Sequence, residues 1–376
     1  EEFKFYQKYT ISEWRLTKTI DGITREGKDV TIKFEAKDGA ADSVEWNFKL
    51  KSAEPLMEAG QTVASMQMEV NPWQPMPKME PVSTAKVKVS DNVKAGEVSF
   101  TSKDFEIVFS RQTGLLTRYE VNGRNLLGEG GTLKPNFWRA VTDNDMGANF
   151  QNRLAVWNNP KMDLKQVSIA PVTRQLTAVY DMPDVAATLH LIYTVAQDGA
   201  LHVSMEMQMK EGSKAPILPR FGVLMQLPYD MDQSTYYGRG PIENYSDRKY
   251  SQRIGLYEQS ADQQFFPYIR PQETGTKSDI RWWKQTDNDK FGFKVYFDEA
   301  PFYASALHYN ISDLDEGKEK HQRHSYQVPT SEYTNLTLDG YMMGVGGINS
   351  WGEEPLPQYQ LPAVDRAIHF WIQPCK

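Results

Sequence analysis

The chain has 376 residues, 40% of them hydrophobic and 24% charged, which suits a water-soluble folded protein of one large domain or two to three ordinary ones. A net charge of −7 argues against a nucleic-acid partner, and no apolar run approaches the ~18 residues of a membrane-spanning helix. The single cysteine, Cys375, excludes an intrachain disulfide and a multi-cysteine zinc site and leaves the compartment open between cytoplasm and periplasm.

The chain opens on Glu1-Glu2-Phe3, without an initiator methionine, and enters strand-like sequence at once. It is therefore expected to be a segment of a longer polypeptide, and the missing leader carries no weight. Strand candidates follow at Glu13 to Ile20, Val30 to Ala36 and Ser43 to Leu50. Short strands at this spacing predict a small immunoglobulin-like sandwich. The stretch Asn71 to Ser83 carries four prolines and predicts an extended connector.

Beyond it the strand grammar continues without a second break. Glu97 to Ser110 reads as two strands around Ser102-Lys103, and Leu115 to Leu127 as a hairpin turning at Asn122-Gly123. Leu201, Val203, Met205, Met207 and Met209 fall on one face of a strand, with His202, Ser204, Glu206 and Gln208 on the other. Its partner is Ala186 to Val195, joined through Asp198-Gly199. Phe291, Phe293, Val295 and Phe297 alternate in the same way, and Arg366 to Gln373 reads as the last strand. No long window has apolar 3.6 periodicity with good caps, so helices should be few and short. The fold class is all-β.

Three stretches are too specific to be scaffold alone. They are NFWRAVTDNDMG (136–147), YYGRGPIENYSDRKY (236–250) with PYIRPQETG (267–275), and GVGGINSWG (344–352). The second reads either as a polar pocket for a hydroxylated ligand or as an ion-pair network that fixes long loops. A retaining glycosidase needs two carboxyl groups facing each other across about 5–5.5 Å. Glu243, Asp247, Glu273, Asp279 and Asp339 can be nominated, but nothing in the sequence pairs any two. His321 and His324 are three apart in a loop-like or strand-like pattern, which sends them to opposite faces rather than onto one metal. Asn244, Asn310 and Asn335 match the glycosylation sequon, a frequent chance pattern. No phosphate loop, dinucleotide fingerprint or serine elbow occurs.

Together these stretches resemble the C-terminal part of the large β-galactosidases of glycoside hydrolase family 2. YYGRGPIENYSDR resembles that family's W/Y-x-G-x-GP-x-ENY-x-DR, and PYIRPQETG its PY-x-x-P-x-E-x-G. NFWRAVTDNDMG resembles its R-A-x-x-DNDxG, and GVGGINSWG its G-x-GG-x-x-SW. Glu58 to Val70 is similar to the strand pair that ends the preceding immunoglobulin-like domain.

The resemblance implies that residues 1–90 form an immunoglobulin-like β-sandwich, in part or whole. Residues 93–376 would form a large antiparallel β-supersandwich related to galactose mutarotase. It implies that the catalytic (β/α)8 barrel lies upstream, outside this chain, so that no catalytic group and no metal ligand is expected here. Any divalent or monovalent metal ion would sit mainly on that barrel. Trp351 matches the tryptophan that this family reaches into the barrel mouth, so Trp351, with its neighbours Asn349 and Ser350, is the candidate substrate-binding set. Acidic residues common in the family are replaced here by Ile348 and Asn349. The implied partners are the upstream domains, a β-galactoside and further copies of a bacterial-type enzyme. The competing reading is an independent carbohydrate binder or aldose 1-epimerase-like domain, for which His308, His324 and Glu273 are the available acid–base groups.

Overall fold

A computed structural model describes the backbone of residues 4–8, 13–17, 23–26, 29–32, 43–50, 52–69, 73–74, 86–315, 317–318, 323–349 and 351–375. The chain divides into two compact units, Glu1–Gln74 with Arg253–Leu256, and Pro75–Gln252 with Tyr257–Lys376. Both are built from antiparallel strands, and the four α-helices among the described residues are one turn or little more. No described helix is long and apolar enough to cross a membrane.

The first unit is small and, in its described residues, all antiparallel β. Its four-stranded sheet runs in the order Glu13–Thr17, Lys4–Lys8, Ser43–Lys49, Thr62–Glu69, beside the hairpin Ile23–Glu26 and Asp29–Ile32. Within Glu58 to Val70 there is one strand, not two: Leu50 bonds to Gln61 and Gly60 across a tight turn, and Thr62–Glu69 then pairs with Ser43–Lys49.

The second unit is the supersandwich. One of its sheets has nine strands in the order Asp163–Ala170, Gln175–Met182, Ala187–Val195, Leu201–Met209, Arg366–Cys375, Gly292–Phe297, Trp282–Thr286, Gln233–Gly240, Arg253–Ser260. The other has ten, and its path starts at Lys277–Ile280, Phe302–Leu307, Tyr333–Met342 and Arg220–Pro228. It continues through Leu133–Asn136, Leu116–Val121, Phe105–Ser110 and Glu97–Thr101 to Lys88–Asn92, with Arg124–Asn125 paired to Leu116–Val121 off that path.

Period-two alternation sets which side chains enter the core. Leu201, Val203, Met205 and Met207 are buried, and Met209 is half-buried at the strand end. Asn122 and Gly123 both take positive φ, 51° and 78°, as the two-residue hairpin turn requires, and Val121 faces Arg124 across it. Side chains from both sheets close the core. Phe109 meets Tyr193 at 4.7 Å between ring centroids, and Tyr119 Oη donates to the carbonyls of Gly199 and Ile372. Phe297 stacks on Phe302 at 4.3 Å and on Phe370 at 5.0 Å.

Phe370 is fully buried in that stack. Phe370→Ala should therefore cost about 3–5 kcal/mol. The check is urea unfolding, which should show a lower midpoint with an unchanged slope.

Candidate functional site

The three motif stretches meet in the second unit. The first carries a short helix, Asp143–Gly147, started by a capping box: Thr142 Oγ1 accepts from Asp145 N at 3.1 Å, and Asp145 Oδ2 accepts from Thr142 N at 3.0 Å. Asp145 also holds Arg139, with Nη2 at 3.0 Å from Oδ1, and both side chains are buried. Arg139 also binds the backbone where the third stretch begins, giving Nη1 to Met343 O at 2.7 Å and Nη2 to Gly344 O at 2.8 Å.

The second stretch reaches the same loop from another side. Asp247 accepts from Val345 N at 3.0 Å and from Gly346 N at 2.9 Å. A Cβ on Gly344 would lie 2.4 Å from Asp247 Oδ2, so only glycine lets the carboxylate this close. The glycines that end the first and third stretches pack back to back. A Cβ on Gly352, whose φ is +89°, would come within 2.2 Å of the carbonyl carbon of Gly147.

Beyond Gly347 the loop is held by Asn349, whose Oδ1 accepts from Trp351 N at 2.9 Å and Glu353 N at 3.2 Å. That bond uses Asn349 to shape the turn. The indole of Trp351 is 85% exposed, so it fills no groove of its own unit. Ser350, the third residue of the predicted set, lies outside the described residues.

The nominated carboxylates are all engaged. Glu243 accepts from Arg248 at 2.6 Å, from Thr274 Oγ1 at 3.1 Å and from Gly275 N at 2.8 Å, and also from Tyr268 Oη. It thus clamps PYIRPQETG to ENYSDR. Asp279 pairs with Arg239 at 2.7 Å and Lys249 at 2.9 Å. Burial works against its charge, and those two cations more than offset it, leaving its carboxyl below the usual range. The second stretch thus carries the ion-pair network that one of the two sequence readings expects. Burial pushes the Lys277 ammonium down to about 7, against the pull of Glu243, and its Nζ donates to Gly275 O at 2.6 Å.

Glu273 and Asp339 share one buried cation, Arg220, at 3.2 Å and 3.3 Å. Asp339 fits there because Gly222 lies opposite it in the register; a Cβ on Gly222 would sit 2.2 Å from Asp339 Oδ1. Burial, reinforced by Glu273 and opposed by Arg220, lifts the Asp339 carboxyl to about 7. One proton on this group of two carboxylates and one guanidinium makes it neutral. The enclosed cavity beside Arg220 and Glu273 measures about 20 Å³, room for a water and far too small for a sugar.

The epimerase-like set does not assemble. His308 is buried, with Nδ1 3.2 Å from Asp262 and Nε2 3.0 Å from Tyr229 O, and it stacks on Tyr229. Glu273 binds Arg220 and Thr276, while His324 is exposed at the start of a short turn against Tyr326. His321 lies outside the described residues. The sequon asparagines are structural: Asn244 and Asn335 are buried, and Asn310 donates to Asp313 at 2.8 Å. No group of three or more His, Cys, Asp or Glu that could hold a metal occurs among the described residues. Sequence reasoning missed Arg139 and Asp145; the capping pattern T-D-N-D at 142–145 was the available signal.

Residues 101–373 match the profile of the family described as β-galactosidase small chain. The chain belongs to that family. Among curated relatives it is 31% identical to a β-galactosidase of Priestia megaterium over 81% of this chain and 29% of that protein. It is also 31% identical to one of Lactobacillus delbrueckii subsp. bulgaricus, over 86% of this chain and 31% of that one. The chain thus spans about three tenths of the length of these relatives. A galactose 1-epimerase from Lactobacillus acidophilus aligns over 77% of this chain and 98% of its own, with a TM-score of 0.42 and 9% identity.

Two outcomes are expected of this small-chain member. Asp247→Ala leaves the amides of Val345 and Gly346 without an acceptor, at about 1–3 kcal/mol. Amide exchange at those two residues should quicken by at least roughly tenfold. Asp339 titrates higher folded than unfolded, so its contribution to stability is whole below about pH 4 and is lost as pH rises through about 7. Asp339→Asn should flatten the pH dependence of the urea midpoint across that window.

Proposed function

We propose that this chain is the non-catalytic C-terminal segment of a retaining β-galactosidase. In this reading the bond-breaking groups lie in polypeptide outside it, and the segment supplies one aromatic wall of the substrate pocket. The observation that carries the reading is Trp351: a large indole left exposed on a loop whose backbone is tied down by two other motif stretches. An indole face stacks on the apolar C–H face of a pyranose and orients it without moving a proton. The engaged state of every nominated carboxylate supports the same division of labour. Glu243, Asp247 and Asp279 are bonded to cations or backbone amides, Glu273 and Asp339 are both paired with Arg220, and the cavity that Glu273 lines is too small for a sugar.

In this reading the same loop also positions the upstream domains, which are the first partner, with a β-galactoside and further copies of the whole enzyme as the others. We assign no metal ligand to this chain, and any metal ion the whole enzyme uses is held elsewhere in the polypeptide.

Trp351→Ala in the full-length polypeptide should raise KM for a nitrophenyl β-galactoside on the order of tenfold, from ~1.4 kcal/mol of lost stacking, with kcat little changed. A fall in kcat with KM intact would place the indole in the chemistry instead. The 376-residue chain alone should show no turnover of the same substrate. Activity that a carboxylate substitution here abolishes would end the reading.

A further inference from the structure

A polar cleft of about 350 Å³ opens where the three motif stretches converge. We infer that it is a binding site for a neutral, multiply hydroxylated small molecule of hexose size, distinct from the indole of Trp351. The inference goes beyond the proposed wall and does not need it.

The volume lies within the ~300–1,000 Å³ range of small-molecule sites. Its lining pairs backbone from the third stretch, Val345 to Gly347, with Asn144, Tyr245, Arg248 and Gln272. Tyr245 is the telling member. It is 1% exposed, and its hydroxyl has no hydrogen-bond partner among the described residues. A buried hydroxyl left unpaired is costly, and Tyr245 lines the cleft, so a small side-chain shift would let an entering molecule supply the partner. Burial, then Glu243 and Glu273, push its phenol well above the ordinary range, so it stays a neutral O–H that can both donate and accept.

The charges select the ligand class. Arg248 is the only cation lining the cleft, against Asp247 and Glu273. Arg248 Nη2 is already bonded to Glu243 and Tyr268, and Asp247 to two amides. The lining has no positive excess to attract a phosphate or carboxylate, and its two anions are already held, Asp247 by two amides and Glu273 by Arg220. Among the described residues, Tyr245 Oη, Asn144 Oδ1 and Arg248 Nη1 are groups of the lining left without a side-chain hydrogen bond. That set suits hydroxyls, each of which donates and accepts. Because Asp247 also holds Val345 and Gly346, occupancy is felt directly by the loop that bears Trp351.

The test is titration of the 376-residue chain with D-galactose and with D-glucose, followed by chemical shift changes and by thermal midpoint. At least one sugar should bind with millimolar affinity, shift the Val345 and Gly346 amides and raise the midpoint. Tyr245→Phe keeps the ring and its packing, so it should fold normally and weaken binding at least tenfold. Trp351→Ala should leave binding unchanged. Binding lost with Trp351→Ala and kept with Tyr245→Phe would put the sugar on the indole and overturn the inference. So would the absence of binding by either sugar at 100-fold the expected constant. The kinetic outcome for Trp351 in the full-length enzyme is independent of both, so the two readings fail separately.

Discussion

An irregular stretch of backbone has to find partners for its amides and carbonyls without help from a sheet. In residues 343–346 two side chains divide that task, Arg139 buried and Asp247 half-buried. Arg139 takes the carbonyls of Met343 and Gly344, and Asp247 takes the amides of Val345 and Gly346. The amides of Met343 and Gly344 go to Pro219 and Tyr359. A loop of three glycines would otherwise be the least ordered part of the molecule. Here it is fixed residue by residue, and that is why an exposed tryptophan five residues on can be presented in one place. The rest of the unit, with its two large sheets and shared aromatic core, serves to bring 139, 247 and 344 together from distant parts of the chain.

Polar groups in this unit are used mostly against one another. Glu243 and Asp145 each hold a loop by accepting from a cation and backbone amides, Asp279 does so by accepting from two cations, and Arg220 balances two carboxylates at once. Removing one partner of such a group strands the other in a low-dielectric interior, so the network sets conformation more than it adds stability. Tyr245 departs from this rule. Its hydroxyl is one of several buried polar groups with no partner among the described residues, and of these it belongs to the residue that lines the cleft.

Much of the architecture was legible in the sequence because period-two patterning and turn chemistry are local. Leu201–Met209, its partner strand and the Asn122-Gly123 hairpin stand where their patterns put them. Glu58 to Val70 was read as a strand pair; Gly60, at φ +85°, instead makes a tight turn that leaves a single strand. The site was legible only in part. Glycine-rich and charge-rich stretches could be singled out, but the pairing of Asp247 with Val345, or of Arg139 with Gly344, joins residues about 100 and 200 positions apart, and no local spacing encodes it. The triad around Arg220 was invisible for the same reason: Gly222 makes room for Asp339 only once the two strands lie in register.

Where Gly147 and Gly352 touch, main chain rests on main chain with nothing between. Side chains usually absorb a small shift between neighbouring segments by changing rotamer, and this junction has none to change. The helix turn 143–147 and the backbone at Trp351-Gly352 therefore shift together. A disturbance that reaches either segment arrives undamped at the indole.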